Sequence, residues 1–180
     1  MMGGAAGPKI RPYRPDDRDA VRALYRAAFP EEDLLGLLDR LAREVPDLCA
    51  RVVDAPLDED GERGGVIGHA ALTPCRVCGN AGRVALLGPV AVAPDNQGKG
   101  LGSALVRALI EAFGPGRILV LGDPGYYGRF GFRQETRIAP PQAIPDAWAS
   151  AWQGLGGGSS VPSGRLDVPA PWTVPALWTP

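Results

Sequence analysis

The chain has 180 residues and a formal net charge of −1. That length suits one domain with a real core. The near-neutral balance excludes the basic footprint of a nucleic-acid binder and the polybasic patch of a membrane anchor.

The first nine residues, "MMGGAAGPK", lack the apolar stretch of a secretion signal and are expected to be disordered. Ile10 to Asp17 reads as a short edge strand that stops at proline, with Asp16 or Asp17 placed to cap the helix after it. Ala20, Val21, Leu24 and Ala28 recur at helical spacing up to Pro30, and Leu34, Leu35, Leu37, Leu38 and Leu41 mark a second helix. The apolar stripe of that second helix is wide enough to border a ligand cleft as well as a core. Cys49 to Ala55 is a strand, followed by a charged hairpin loop over 54–65. Val66 to Pro74 is the next strand, and Cys75 to Arg83 is a turn. Val84 to Pro94 is a long apolar strand of central type, broken by Gly88-Pro89. Proline removes a ladder donor, so a bulge or a splay is expected there.

The segment "DNQGKGLGSALVRAL" then opens a helix whose buried stripe is Leu101, Ala104, Leu105, Ala108, Leu109 and Ala112. Arg117 to Asp123 is a short buried strand. A glycine-bounded "YYGRFGF" follows, and Phe132 to Ile138 is expected as a last core strand. From Ala139 the composition shifts to proline, glycine and tryptophan. A short amphipathic helix is expected around Trp148 and Trp152, and an edge strand at Leu166 to Val168. The tail tryptophans need an apolar home, in a cleft, on the domain surface or against a second copy in a homodimer. The order of elements predicts a mixed α/β sheet. Residues 10–138 form the expected domain, with 139–180 as an extension packed on it.

The three cysteines, an odd count without a secretion signal, fit a reducing, cytoplasmic setting. No run of apolar residues reaches membrane-spanning length. Cys75 and Cys78 have C-x-x-C spacing. Zinc would need two more ligands, with His69 and Cys49 the available ones. A redox pair or a plain turn carrying two thiols are the other readings, and no metal is expected.

The glycine loop has rivals to exclude. A phosphate-binding P-loop needs a hydroxyl residue after its lysine, but Gly100 follows Lys99. A dinucleotide fingerprint needs G-x-G-x-x-G, which neither frame supplies. Q-G-K-G-x-G instead offers main-chain N–H groups at a helix start, where the helix dipole favours an anion. A tight turn that binds nothing stays open on these residues alone.

"VAVAPDNQGKGLGSALV" resembles the acyl-CoA motif of the GNAT N-acetyltransferase superfamily, [QR]-x-x-G-x-[GA], matched by Gln97, Gly100 and Gly102. "YYGRFGF" resembles its second motif, a tyrosine followed by x-x-x-G-F, with Tyr127 in register. A bacterial subgroup carries L-G-P-[LV]-A-V before the loop and G-D-P-x-Y-Y-x-R-F-G-F after it. Both runs are present, at Leu87 to Val92 and Gly122 to Phe132. The likeness covers roughly Ile10 to Arg137 and implies an acyl-CoA N-acyltransferase fold, mostly antiparallel, with a splayed strand pair. It implies acetyl-CoA as cosubstrate, its pantetheine arm beside Val90, Ala91 and Val92. The pyrophosphate would lie on the N–H groups of Gln97, Gly98, Lys99, Gly100, Leu101, Gly102 and Ser103, with Tyr126 alongside.

The resemblance implies acetyl transfer to an amine by direct attack. Tyr127 would act as general acid toward the thiolate, and Tyr126 is the rival for the ligand-facing ring. A main-chain N–H near Val92 would polarise the carbonyl. Relatives often carry a glutamate base on the central strand, but "LLGPVAV" has none. His69, the one histidine, can serve in deprotonation or simply pack. Arg129 and Arg133 can meet the CoA 3'-phosphate or face solvent. The acceptor is expected over the second helix, the loop near Pro74 and the Trp148–Trp152 region. A small amine, an antibiotic and a protein N-terminus all remain open. So does a CoA-binding or regulatory module that has lost turnover.

Overall fold

The apolar runs in the middle of the chain become its two longest strands. In the computed structural model, which describes residues 9–56 and 64–179, these are β3 (Val66–Val77) and β4 (Asn80–Val92). Ahead of them lie β1 (Ile10–Pro12), α1 (Arg18–Ala28), α2 (Leu35–Glu44) and β2 (Cys49–Asp54). After them come α3 (Leu101–Phe113), β5 (Arg117–Leu121), a one-turn α4 (Pro124–Tyr127), β6 (Arg133–Gln134), β7 (Ile138–Ala139), β8 (Trp152–Gly156) and β9 (Gly164–Asp167). The expectation of disorder over 1–9, apart from Lys9, lies outside the described residues, as does the middle of the 54–65 loop.

The sheet runs β1-β2-β3-β4-β5-β8-β6, with β9 on β3 and β7 on β9. Among the described residues, only β4–β5 and β7–β9 pair in parallel; the other pairings are antiparallel. The fold is therefore mixed α/β, as the order of elements predicts. α3 covers one face, where Leu105, Val106 and Leu109 pack with Leu72, Ile118 and Phe132. α1 and α2 cover the other, where Val21, Leu24 and Tyr25 meet Val52 and Ala91. Burying apolar surface on both faces of the long strands is the main driving force for the fold.

Four local expectations are corrected. Asp17 does not cap α1. Its carboxylate instead accepts from the Arg14 N–H and from both terminal nitrogens of buried Arg11, each at 2.7 Å. Arg11 reaches Asp54 as well, at 2.6 Å, so it joins β1, β2 and the entry to α1. These bonds hold the Asp17 carboxyl below its ordinary range. The expected turn over Cys75 to Arg83 shrinks to Cys78 and Gly79, because Gly79 takes a φ of +77° and closes a tight hairpin. The expected strand from Phe132 to Ile138 is split into β6 and β7, because buried Glu135 turns inward. It accepts the Arg137 and Ile138 N–H groups at 2.7 and 3.2 Å and the Arg117 guanidinium Nε at 2.7 Å.

The fourth correction is the largest. Trp148 lies in a 3-10 turn, but Trp152 begins β8, which runs between β5 and β6 in the main sheet. The sequence "QGLGGG" looks like a linker. Gly154 is needed because a side chain there would collide with the Arg117 guanidinium, and Gly156 sits at a φ of +76°. The tail beyond β9 returns to the core. Trp152, Trp172 and Trp178 are buried together with Leu37, Leu41 and Leu119.

Candidate active site

The site begins where β4 and β5 part. They pair only at Val84–Arg117, Ala85–Ile118 and Leu86–Leu119. Against β3, Leu87 faces Leu72 and Val90 faces Ala70, so three steps along β4 match two along β3. One extra residue is thus absorbed at Gly88-Pro89, the bulge that a mid-strand proline predicts. Beyond Leu86 the β5-facing edge of β4 pairs with no strand among the described residues.

At the end of β4 the chain makes a 3-10 turn, Pro94–Asn96, and then the glycine loop. Gly98 and Gly100 have φ of +72° and +81°, and nothing lies within 4 Å of where their Cβ atoms would stand. Backbone conformation, not crowding, demands glycine at these two places. Gly102 differs: a Cβ there would come 2.7 Å from the Tyr126 hydroxyl. Gln97 organises the loop. Its side-chain amide donates to the Val92 carbonyl at 3.0 Å, and its main-chain N–H donates to Pro94 O at 3.2 Å. The first helical bond that reaches back into the loop runs from Ala104 N to Gly100 O at 3.0 Å. The Leu101, Gly102 and Ser103 N–H groups precede that bond, so a row of first-turn donors stands at the start of α3.

Tyr126 and Tyr127 come from α4. Asp123 caps that turn by accepting the Gly125 N–H at 2.9 Å. The Tyr127 ring lies against Gly122, edge-on to Tyr126 at 4.9 Å and to Phe132 at 5.7 Å between centroids. Burial pushes its phenol above the ordinary range. The Arg129 guanidinium stacks over the Tyr126 ring at 4.6 Å.

These pieces line one groove of about 450 Å³. Of the residues expected from the sequence, it gathers Val90, Val92, Gln97, Gly98, Gly100, Leu101, Gly102, Ser103, Tyr126 and Tyr127. Two of the expected cofactor contacts are not on its wall. Ala91 points to the opposite face, into the cluster with Val21 and Tyr25, because strand side chains alternate. Lys99 is exposed and does not border the groove. The groove also includes Ala28, Phe29 and Asn96, which sequence reasoning passed over. Phe29 ends α1 just before Pro30, and only an apolar residue beyond the helical stripe hinted at its place.

His69 is elsewhere. It lies on the α1 side of β3, 4% exposed, beside a small cavity of about 30 Å³. Its Nδ1 is 2.9 Å from the Tyr25 hydroxyl. Desolvation lowers the imidazole to about 4, partly opposed by the Asp17 charge, so the ring is neutral near pH 7. Tyr25 is fully buried and its phenol is raised well above the ordinary range, by desolvation first and then by the charge of Tyr127. His69 thus lines neither the groove nor the cleft described below. Cys75 is buried and Cys78 exposed, and neither is in a disulfide. Pro74 borders a separate hollow with Cys49 and Phe113, away from the splay.

The splay, the donor row and the tyrosine turn are one arrangement, and residues 18–132 match the family model for the acetyltransferase (GNAT) family. The chain belongs to the GNAT acetyltransferase family. This acetyltransferase is 34% identical over 126 residues to the uncharacterized N-acetyltransferase YhbS of Escherichia coli, covering 68% of this chain and 72% of that one. It is 30% identical over 149 residues to the uncharacterized N-acetyltransferase YjhQ of the same species, covering 76% and 77%. Its structure is similar to that of a GNAT family acetyltransferase from Brucella melitensis in complex with acetyl-CoA. That likeness has a TM-score of 0.69 at 30% identity and covers 92% of this chain and 97% of that one. The fold also matches the crystal structure of Escherichia coli YhbS in complex with CoA, with a TM-score of 0.78 at 24% identity, covering 93% of each chain.

Proposed function

We propose that this acetyltransferase moves an acetyl group from acetyl-CoA to an amine by direct attack, with Tyr127 as general acid. The observation that carries the reading is the position of Tyr127 in the same groove as the open N–H row, at the mouth of the splayed strands. The groove fits the cosubstrate chemically. Its donors from Leu101 to Ser103 suit a pyrophosphate at a helix start, with no metal required. The free edge of β4 beyond Leu86 suits the amide groups of a pantetheine arm. The acetyl-CoA and CoA held by the two solved relatives support the same reading.

Bound acetyl-CoA supplies the thioester that is cleaved. The chain's own residues do the rest. Main-chain N–H near Val92 donates to the carbonyl oxygen where negative charge develops. The Tyr127 hydroxyl gives its proton to the departing sulfur. Its raised pKa keeps it protonated through the whole neutral and mildly alkaline range. His69 and its hydrogen-bond partner Tyr25 lie off the groove wall, so the acceptor enters as its free base and His69 is not assigned a proton transfer.

Tyr127→Phe tests the assignment, because it removes the proton donor and keeps most of the ring packing. Turnover should fall about 10- to 100-fold across pH 6 to 9, with the acetyl-CoA dissociation constant nearly unchanged. Full turnover in that variant would remove the acid role. Tight acetyl-CoA binding with no amine consumed by the wild type would make the chain a binding module.

A further inference from the structure

On the far side of the splay lies a second, larger opening. Its volume is about 860 Å³, and it is bounded by Pro89 of β4, Leu121 and Gly122 at the end of β5, Leu37 of α2 and Trp148. It meets the cofactor groove at two places. Pro89 adjoins Val90 of the groove, and Gly122 is the residue against which the Tyr127 ring lies. The C-terminal tail closes the remaining wall with Trp172, Val174 and Leu177.

The chemistry of this lining is one-sided. Among the described residues, its only ionisable side chains are Glu32 and Asp33, and no basic residue borders it. Both acids sit on the loop that also carries Phe29, a wall of the cofactor groove. The remaining wall is almost entirely apolar. Two of its groups lack the partners that their kind has elsewhere in the molecule. The indole N–H groups of Trp152, Trp172 and Trp178 donate to Ile138 O, Thr73 Oγ1 and Trp172 O at 2.7, 2.9 and 2.9 Å. The half-buried Trp148 has neither an indole hydrogen-bond acceptor nor a ring partner among the described residues. Val174, 41% exposed, is the large hydrophobic left open to solvent among the described residues.

We propose that this cleft binds a monoamine with an aromatic or branched-alkyl body. The body lies on Trp148 and Val174, and Glu32 and Asp33 draw in the cation. The inference rests on the acetyl-transfer reading and names its acceptor class. A polyamine or an amino sugar fits poorly, because each would place several charged or hydroxyl groups against an apolar wall. In the transfer, the N–C(acetyl) bond forms and the C–S bond breaks. The ammonium first loses one proton to solvent; after attack Tyr127 protonates the sulfur, and the second proton released by the amine restores the Tyr127 phenol. The products are the N-acetylamine and the free CoA thiol.

The test uses 2-phenylethylamine, glucosamine, spermidine and an alanyl dipeptide as acceptors, read by release of free CoA thiol. Calorimetry of 2-phenylethylamine with the CoA-loaded enzyme reads the cleft apart from turnover. The expected result is a kcat/KM for 2-phenylethylamine about tenfold or more above each of the others. Trp148→Ala should raise its KM about 10- to 100-fold, as loss of an aromatic face predicts. Trp148→Phe should restore most of the loss, and acetyl-CoA affinity should be unchanged in both. The proposal is overturned if glucosamine, spermidine or the dipeptide is preferred, or if Trp148→Ala leaves the KM for 2-phenylethylamine unchanged. Calorimetric binding that Trp148→Ala abolishes, without turnover of any amine, would uphold the cleft and sink the transfer reading instead.

Discussion

A methyl group added at Gly122 would run into the Tyr127 ring, coming 2.8 Å from Cδ2 and closer still to Cε2. The phenol is aimed by that missing side chain. Gly122→Ala should therefore push the ring off its seat. Turnover should drop at least as far as in Tyr127→Phe, while stability falls by about 1 to 3 kcal/mol, the usual cost of overpacking. Steady-state kinetics and urea unfolding check both, and wild-type turnover in Gly122→Ala would mean the ring is not held there. His69 offers a second test, on stability. Its folded value of about 4 lies below the ordinary 6.5. Between those values the unfolded chain binds the extra proton, so stability falls as pH drops from 6.5 towards 4 and levels off below. About 3 kcal/mol is at stake over that window. His69→Gln keeps an amide acceptor for Tyr25 without a group that titrates there, and the loss between pH 6.5 and 4 should shrink accordingly. An identical pH–stability curve for the two proteins would contradict the burial argument.

At the scale of elements, the β4–α3 connection is tied to its own strand by the Gln97 amide on Val92 O. Gln97→Ala removes one hydrogen bond from a partly exposed turn, worth about 1 kcal/mol. Acetyl-CoA affinity should weaken about fivefold with the N–H row intact, measured by calorimetry. An unchanged dissociation constant would show that the glycines alone shape the loop. This connection was legible in the sequence because its signal is local: glycine at left-handed positions, then an apolar stripe at helical spacing. The break at Gly88-Pro89 was legible for the same reason, since proline removes a ladder donor whatever surrounds it. β8 was not. Its partners lie 31 and 21 residues away, as in Trp152 with Leu121 and Gly154 with Arg133. Gly154 is glycine to make room for a side chain from β5, a reason invisible in "QGLGGG". The split of Phe132 to Ile138 was hidden likewise, because nothing local shows that Glu135 faces inward to Arg117. Ala91 shows the limit within the site itself. A motif names three consecutive residues, but the pleat sends the middle one to the other face.

The whole molecule divides its work between the two openings of one splay. α3, the glycine loop and α4 form the side proposed for acetyl-CoA. α2, the 3-10 turn of Trp148 and the C-terminal tail form the other side. The tail is fixed by Trp178, 2% exposed, whose ring meets Trp152 and Trp172 edge-on at 6.1 and 6.3 Å and whose N–H reaches Trp172 O. Trp178 itself does not line the cleft, although its neighbours Leu177 and Thr179 do. Trp178→Ala should therefore act at a distance. Opening a cavity of that size in a core costs about 3 to 5 kcal/mol, read as a lower urea midpoint. Where the variant is still folded, the tail wall loosens, so the KM for amine should rise. Acetyl-CoA affinity should hold, because none of the groove's lining residues belongs to the cluster that holds the tryptophans. Parallel loss of acetyl-CoA binding would show that the two sides are not energetically separate. A fall of less than 1 kcal/mol in stability would show that the tail is a cover over the sheet and not part of its core.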